Sequence, residues 1–341
     1  MEKIVISFCI STYNRETKLL RLIYDLLKFV GDSIEVVVSD NNSLDSTFEK
    51  LSYIRDSRLR IFSNKENIGA IPNYIKSISL ARGEFVIFCT DKDSINVLEL
   101  PKIIEFLKIN SNLSTGIIAI DALSIEPNLI FNKGRTGLAN LAYLSRHPTG
   151  YFFNNTLLRQ LLKENDYTNN LKYGVFPFEF IVTNLCLLGK SAKVNFPFFF
   201  GETSSDTNLV KSFSFSTAQN NIYFFPEERF SMFLKYVNHL CSLPISYFDK
   251  INLLKILIRR TLGLVTVFYK KMVEDESVCN HYGILSKKVG FYTIIKNYIT
   301  FVSQFILRCS FSNIFIRIFI IIIIHFDFRL ISRVFVNKLL K

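Results

Sequence analysis

The chain has 341 residues, 49% of them hydrophobic and 14% aromatic, and carries a net charge of +12. That composition excludes a disordered chain, and the length leaves room for two domains. The charge is uneven: residues 245–341 hold 15 Lys/Arg against 5 Asp/Glu, which assigns an anionic partner to that part and leaves the first 244 residues nearly balanced.

Residues 3–11 are rich in Ile and Val and predict a strand. An acid opens the N-terminus, with no basic stretch before an apolar helix, so a signal peptide is not expected. Residues 16–29 place Leu19, Leu20, Ile23, Leu26, Leu27 and, just beyond, Val30 at helical spacing. A second strand is expected over 35–39 (EVVVS), a short helix over 45–55 and a third strand over 59–63. Residues 71–81 carry Ile71, Ile75 and Ile78 and run out at Gly83, a helix stop. Residues 85–89 predict a fourth strand. Continuous apolar strands alternating with helices imply a mostly parallel sheet covered on both faces, with ligands beyond the carboxyl ends of its strands.

Polar and acidic residues follow three of these strands: Thr12-Tyr13-Asn14-Arg15, Asp40-Asn41-Asn42-Ser43-Leu44-Asp45 and Asp91-Lys92-Asp93. Each piece has a plain alternative. Asp45 caps a helix, Asn41 and Asn42 make a turn, and Asp91 and Asp93 sit in a solvated loop. Their fall on one rim argues for a site. Two acids at i and i+2 reach one hard cation, Mg²⁺ or Mn²⁺, whose other positions go to phosphate oxygens and water.

The stretches SFCISTYNR (7–15), VVVSDNNSLDST (36–47), NKENIGAIPNYIKSISLARGEF (64–85) and FCTDKD (88–93) resemble family 2 glycosyltransferases of the GT-A fold. The resemblance covers roughly residues 3–110 and fades afterwards. It implies that Thr12, Tyr13 and Asn14 lie beside the nucleotide, with Arg15 closing that loop. Asp40 would bond the base, and Asn41, Ser43 and Asp45 would continue its loop. Asn67, Gly69 and Asn73 match an NxGxxxN element. Asp91 and Asp93 match the metal motif, with Asp93 the direct ligand. Two departures stand out: Lys92 replaces a frequent acid and either touches phosphate or points to solvent, and Asn41-Asn42 replaces a common Asp-Gly.

Such enzymes invert the anomeric centre and need a base for the acceptor hydroxyl. Pro177 suits the first position of a helix continued by Ile181, Leu185 and Leu188, so Glu179 falls in its first turn. The resemblance points to Glu179 as base, with Asp166 and Glu202 as substitutes. The alternative is a first-turn Glu that only favours the helix dipole. His147 is either structural or a further metal ligand. Residues 196–200 (FPFFF) are expected to pack as core, and residues 201–206 to form a loop over the donor.

The six cysteines include no CxxC spacing, which excludes a zinc or redox site on spacing and suits a reducing compartment. Helices are expected over 230–240, 250–271, 291–307 and 313–340. The richest apolar run, 318–324, is too short to cross a bilayer. A helix lying in the interface with anionic lipids fits it better, a buried core helix being the alternative. Nucleic acid is not an expected partner, because no basic recognition motif is present.

The expectation is therefore a GT-A sheet followed by a basic helical region that associates with membrane. Residues 1–110 would bind the nucleotide sugar, 111–235 the acceptor, and 236–341 the membrane. The expected reaction moves a sugar, from a UDP-sugar most plausibly, to a polyprenyl-diphosphate-linked glycan at the cytoplasmic face. The rival readings are a sugar nucleotidyltransferase and an inactive membrane scaffold. The sequence does not fix the oligomeric state.

Overall fold

A computed structural model describes residues 3–120, 127–146, 148–200 and 222–308. The chain divides into two compact units, residues 1–212 and 213–341. His147, Glu202, the 201–206 loop and the 313–340 helix with its 318–324 run lie outside the described residues.

In the first unit the elements run β1 (Ile6–Thr12), α1 (Glu16–Leu27), β2 (Ile34–Asp40), α2 (Thr47–Ser52), β3 (Leu59–Ser63), α3 (Ala70–Ser79) and β4 (Phe85–Thr90). They continue with β5 (Ser94–Ile95), α4 (Leu100–Ile109), β6 (Leu113–Ile120), β7 (Leu129–Phe131) and α5 (Arg135–Leu141). The unit closes with β8 (Tyr151–Asn154), α6 (Asn155–Glu164), α7 (Asn170–Tyr173), α8 (Pro177–Cys186) and β9 (Lys190–Phe200). β1, β2 and β4 are buried along their whole length, as expected of strands covered on both faces. The apolar stripe of α1 (Leu19, Leu22, Ile23, Leu26) and that of α4 (Leu100, Ile103, Ile104, Leu107) supply part of this cover. Phe198 and Phe199 join the same core, where the aromatic run was expected.

The sheet order is β3-β2-β1-β4-β8-β6-β9-β5, with β7 also on β9. β3, β2, β1 and β4 are mutually parallel. The other half is mixed, which corrects the expectation of a mostly parallel sheet. β8 runs antiparallel to both β4 and β6, and β5 and β7 run antiparallel to β9. Pairing across chain-distant segments decides this, and periodicity does not register strand direction. The parallel half brings the carboxyl ends of β1, β2 and β4 together: Thr12 is level with Asp40, and Ser11 with Thr90.

In the second unit the described elements are α9 (Pro226–Ser242), α10 (Tyr247–Gly263), α11 (Tyr269–Glu274), α12 (Glu276–His281) and α13 (Phe291–Arg308). Phe230 and Phe233 of α9 pack on Phe301 of α13, with Phe233–Phe301 ring centroids 5.0 Å apart. The helix expected over 250–271 is interrupted by a π-helical turn at Leu264–Phe268. β-Branched Val265, Thr266 and Val267 crowd this turn. The Val265 carbonyl accepts from Asn297 Nδ2 at 3.1 Å, so α13 supplies a partner there. No helix among the described residues is long and apolar enough to cross a membrane.

Candidate active site

Three loops at the carboxyl ends of β1, β2 and β4 build the site, and hydrogen bonds lock them to one another. Asn14 holds a left-handed conformation (φ 52°), as does Asn42 (φ 61°). Both are asparagines, the residue type other than glycine that tolerates it best. The Asn14 N–H donates to Ser43 Oγ at 2.9 Å, and its side-chain oxygen accepts from the Leu44 N–H at 2.7 Å. Ser43 in turn donates through Oγ to Asp40 Oδ1, while its N–H and the Ser63 hydroxyl reach Oδ2 at 3.2 and 3.3 Å. Asp40 is thus a buried, oriented carboxylate at the tip of β2. Asp45 is exposed and takes the plain alternative. Its Oδ1 accepts from the Thr47 N–H at 3.0 Å at the start of α2. Tyr13 is half-buried on the same rim.

Four asparagines fix the floor beside Asp40. Asn73 is buried; it accepts from Ser39 Oγ at 2.7 Å and Asn64 Nδ2 at 3.0 Å, and donates to the Ser39 carbonyl at 2.9 Å. Asn41 accepts from Asn64 Nδ2 at 2.8 Å and the Ile68 N–H at 3.0 Å, and donates to Asn67 Oδ1 at 2.7 Å. Gly69 opens α3 at φ 88°, a turn that a side chain would strain. Asn64 is the member that the sequence reading gave no role. Its own clue was its place as the first Asn of the NxxNxG stretch.

Asp91 and Asp93 are both buried. Asp91 Oδ1 receives Arg15 Nη1 at 2.6 Å, and Oδ2 receives the Thr12 hydroxyl at 2.9 Å. Arg15 therefore belongs to the acid motif as much as to its own loop. Asp93 Oδ1 accepts from Thr90 Oγ1 at 2.6 Å, and Oδ2 accepts from the Thr90 N–H at 2.7 Å and Thr149 Oγ1 at 2.6 Å. Burial pushes the Asp93 carboxyl up to about 6; the threonine hydrogen bonds pull against that, and neighbouring Asp91 adds to it. The Tyr74 phenol is pushed up to about 12 by burial and then by Asp91. Lys92 is half-buried between the two acids, and its carbonyl accepts from Arg21 Nη2 at 3.3 Å.

These residues fit a divalent cation. Asp91 and Asp93 offer oxygen donors alone, the choice of a hard ion. Asp93 accepts a single hydrogen bond at Oδ1, which leaves a lone pair there. Burial and a like charge disfavour its ionised form, and a cation offsets both. Among the described residues no group of three or more His, Cys, Asp or Glu could hold a metal. A hard ion on two carboxylates would leave its other positions to water and phosphate oxygens.

Glu179 sits in the first turn of α8 and is buried. Phe178 beside it packs on Phe88 of β4 (centroids 4.9 Å) and on Phe153 of β8 (6.1 Å), which plugs α8 into the sheet. Both oxygens of the Glu179 carboxylate accept hydrogen bonds. Oε2 accepts from the Leu144 N–H at 2.7 Å, and Oε1 from the Arg146 N–H at 3.1 Å and the Tyr151 hydroxyl at 2.8 Å. Burial pushes its pKa up, against the pull of these donors and of the Arg146 charge. The turn it holds is strained, with left-handed Tyr143 (φ 53°) and Ser145 (φ 51°). Asp166 is exposed and bonds Thr168, which holds its carboxyl below the usual range.

Known proteins match the segment of the chain that holds these loops. The family model described as Glycosyl transferase family 2 matches residues 7–164. Abequosyltransferase RfbV of Salmonella typhimurium (strain LT2) is 39% identical over 106 residues, 28% of this chain and 32% of that protein. Succinoglycan biosynthesis protein ExoO of Rhizobium meliloti (strain 1021) is 28% identical over 120 residues, 35% of this chain and 33% of that protein. The matched part thus spans about a third of the length of each of these relatives. Among solved structures, S. aureus TarS 1-349 superposes with a TM-score of 0.55 at 16% identity, over 89% of this chain and 91% of that one. Its complex with UDP-GlcNAc gives 0.56 at the same identity and coverage. At that identity the likeness speaks for the GT-A-like fold alone. The matched segment holds β1, β2, β4 and every rim residue from Thr12 to Asp93, and over it the chain is similar to glycosyltransferase family 2.

Proposed function

We propose that the chain transfers a sugar from a UDP-sugar to a polyprenyl-diphosphate-linked glycan during surface polysaccharide synthesis, by a single displacement that inverts the anomeric centre. The observation that carries this reading is the convergence of Asp40, Asp91 and Asp93 on one rim of the sheet. Each is buried and oriented by hydrogen bonds before any ligand arrives. The similarity to the abequosyltransferase RfbV and the succinoglycan biosynthesis protein ExoO, and the UDP-GlcNAc bound to TarS, support the donor and polysaccharide classes.

In this reading Asp40 accepts from the nucleotide base, and Thr12, Tyr13 and Asn14 line the base and ribose. The asparagine floor holds the loop over 64–69 against them. Asp91 and Asp93 hold Mn²⁺ or Mg²⁺ against the diphosphate. An ion held there would supply positive charge against the negative charge that gathers on the leaving nucleotide. Arg15 and Thr12 keep Asp91 aimed. For Glu179 to take the acceptor proton, the turn over 143–146 must first swing away, because the carboxylate is closed to solvent and its oxygens are in use.

A membrane surface is the proposed setting, at the cytoplasmic face where nucleotide sugars are made. Support comes from the second unit. The backbone over 284–289 is pinned from inside: the Lys287 N–H reaches the Val273 carbonyl at 3.1 Å, and Val289 is buried. Leu285 (91% exposed) and Tyr292 (79%) nevertheless stand in water, flanked by exposed Lys287 and Lys288. The test is nucleotide release from a panel of nucleotide sugars with lipid-linked acceptor, under Mn²⁺, Mg²⁺ or EDTA. Release from one donor, lost with EDTA and with Asp93→Ala, is the expected result. Release that persists in Asp93→Ala would remove the metal role.

A further inference from the structure

A continuous polar strut connects Glu179 to Asp93, and it runs through residues from three separate elements. At one end Glu179 holds the turn over 143–146 by the Leu144 and Arg146 N–H groups, and it also holds the Tyr151 hydroxyl. Arg146 then lays its guanidinium over the Tyr151 ring, 5.4 Å from the centroid, and donates to the Thr149 carbonyl at 3.3 Å. At the other end buried Thr149 donates its hydroxyl to Asp93 Oδ2 at 2.6 Å. Thr149 is also gripped from behind. Gly150, at φ 82°, donates to the Phe88 carbonyl at 3.2 Å, and its own carbonyl accepts from the Ile118 N–H at 2.8 Å. A Cβ on Gly150 would lie 2.4 Å from the Ile118 carbonyl oxygen.

We infer that Glu179 is a positioning residue for the acid motif: through the 143–146 turn, Arg146, Tyr151 and Thr149 it fixes the rotamer of the Asp93 carboxylate. The strained turn explains why a carboxylate is used for this. Two non-glycine residues in left-handed conformations relax unless something over-determines them, and an ionised acceptor binding two consecutive-turn N–H groups does so. The strut also carries information across the sheet. A shift of the turn, such as an acceptor pressing on it would cause, changes the hold of Thr149 on Asp93. This inference rests on the reading of Asp93 as the carboxylate that faces the donor's metal.

The strut itself is tested without any ligand, by amide hydrogen exchange on the full chain. The Thr90 N–H donates to Asp93 Oδ2, so it reports the Asp93 tether directly. In Thr149→Val and in Glu179→Gln the Thr90 amide is expected to exchange at least 10-fold faster, while amides deeper in β4, such as Ile87, keep their protection. If Glu179→Gln frees the Leu144 and Arg146 amides but leaves Thr90 as in the parent, the turn and Asp93 are uncoupled and the inference falls. Calorimetry with UDP then reads the consequence. Both variants are expected to bind UDP about 5- to 10-fold more weakly with Mn²⁺ and as well as the parent in EDTA. Equal weakening with and without metal would mark a merely structural role. A parent chain that binds UDP under neither condition would overturn the donor reading and leave the exchange result standing on its own.

Discussion

Replacing Arg15 with alanine takes the guanidinium from a carboxylate that is 1% exposed, at a contact of 2.6 Å. Asp91 keeps the Thr12 hydroxyl, yet it faces Asp93 with no opposing charge on that oxygen. Removing one partner of a buried ion pair costs ~3–5 kcal/mol. Arg15 is itself 26% exposed, so solvent screens the pair and about 2 kcal/mol is the better expectation. That corresponds to a fall of roughly 4–8 °C in the melting of a domain this size. A divalent cation occupies the same electrostatic role as the lost guanidinium. Mn²⁺ is therefore expected to stabilise Arg15→Ala more than the parent, recovering about half or more of the loss at saturating ion. The assay is thermal unfolding of both proteins in EDTA and across a Mn²⁺ titration. Equal stability of the two proteins in EDTA, or equal stabilisation by Mn²⁺, would refute the account of Asp91 as a carboxylate balanced between Arg15 and a metal.

Asp93 gives a pH prediction. Its folded pKa of about 6 lies above the usual carboxylate value, so the metal-free fold gains from its protonation at low pH and loses that contribution as pH rises through about 6. Asp93→Asn is expected to stabilise the metal-free protein by up to ~2 kcal/mol at pH 7.5, a gain that shrinks toward zero as pH falls below the ordinary carboxyl value of about 3.9; chemical denaturation across that range reads this. Asn73→Ala takes the acceptor from Ser39 Oγ and from one of the two Asn64 amide N–H groups, the other keeping Asn41, and should cost about 2–3 kcal/mol in urea unfolding; a loss under ~0.5 kcal/mol would show that water replaces the network. Gly150→Ala combines φ 82° with a 2.4 Å approach to the Ile118 carbonyl oxygen and is expected to cost more than ~2 kcal/mol, measured by the same unfolding. Leu285→Ser with Tyr292→Ser should lower sedimentation with phosphatidylglycerol vesicles several-fold, and unchanged sedimentation would move the membrane contact elsewhere.

The rim of Asp40, Asp91 and Asp93 was legible because these residues are local to their strands. An apolar run that ends on Asp40, or on Asp91 and Asp93, tells both where the strand stops and what hangs from its tip. The parallel register then needs no more than the Ile and Val pattern of three buried strands to align those tips. Helix existence followed from spacing in the same way, with ends displaced by a few residues where capping and packing set them. α9 begins at Pro226, ahead of the expected residue 230.

What the sequence determined by itself is the order of strands and helices, the chemistry on the rim and the basic, apolar character of the last hundred residues. These are properties of short windows, and periodicity and residue type carry them. Tertiary structure decided the rest. It paired Arg15 with Asp91 and Thr149 with Asp93, contacts between residues 76 and 56 positions apart that no window contains. It turned β8 against its neighbours, spent Asp45 on a helix start, and buried Glu179 under a strained turn. The physical reason is common to all of these: a buried polar group must find its partner wherever the fold brings one, and the chain specifies that partner through the packing of the whole sheet.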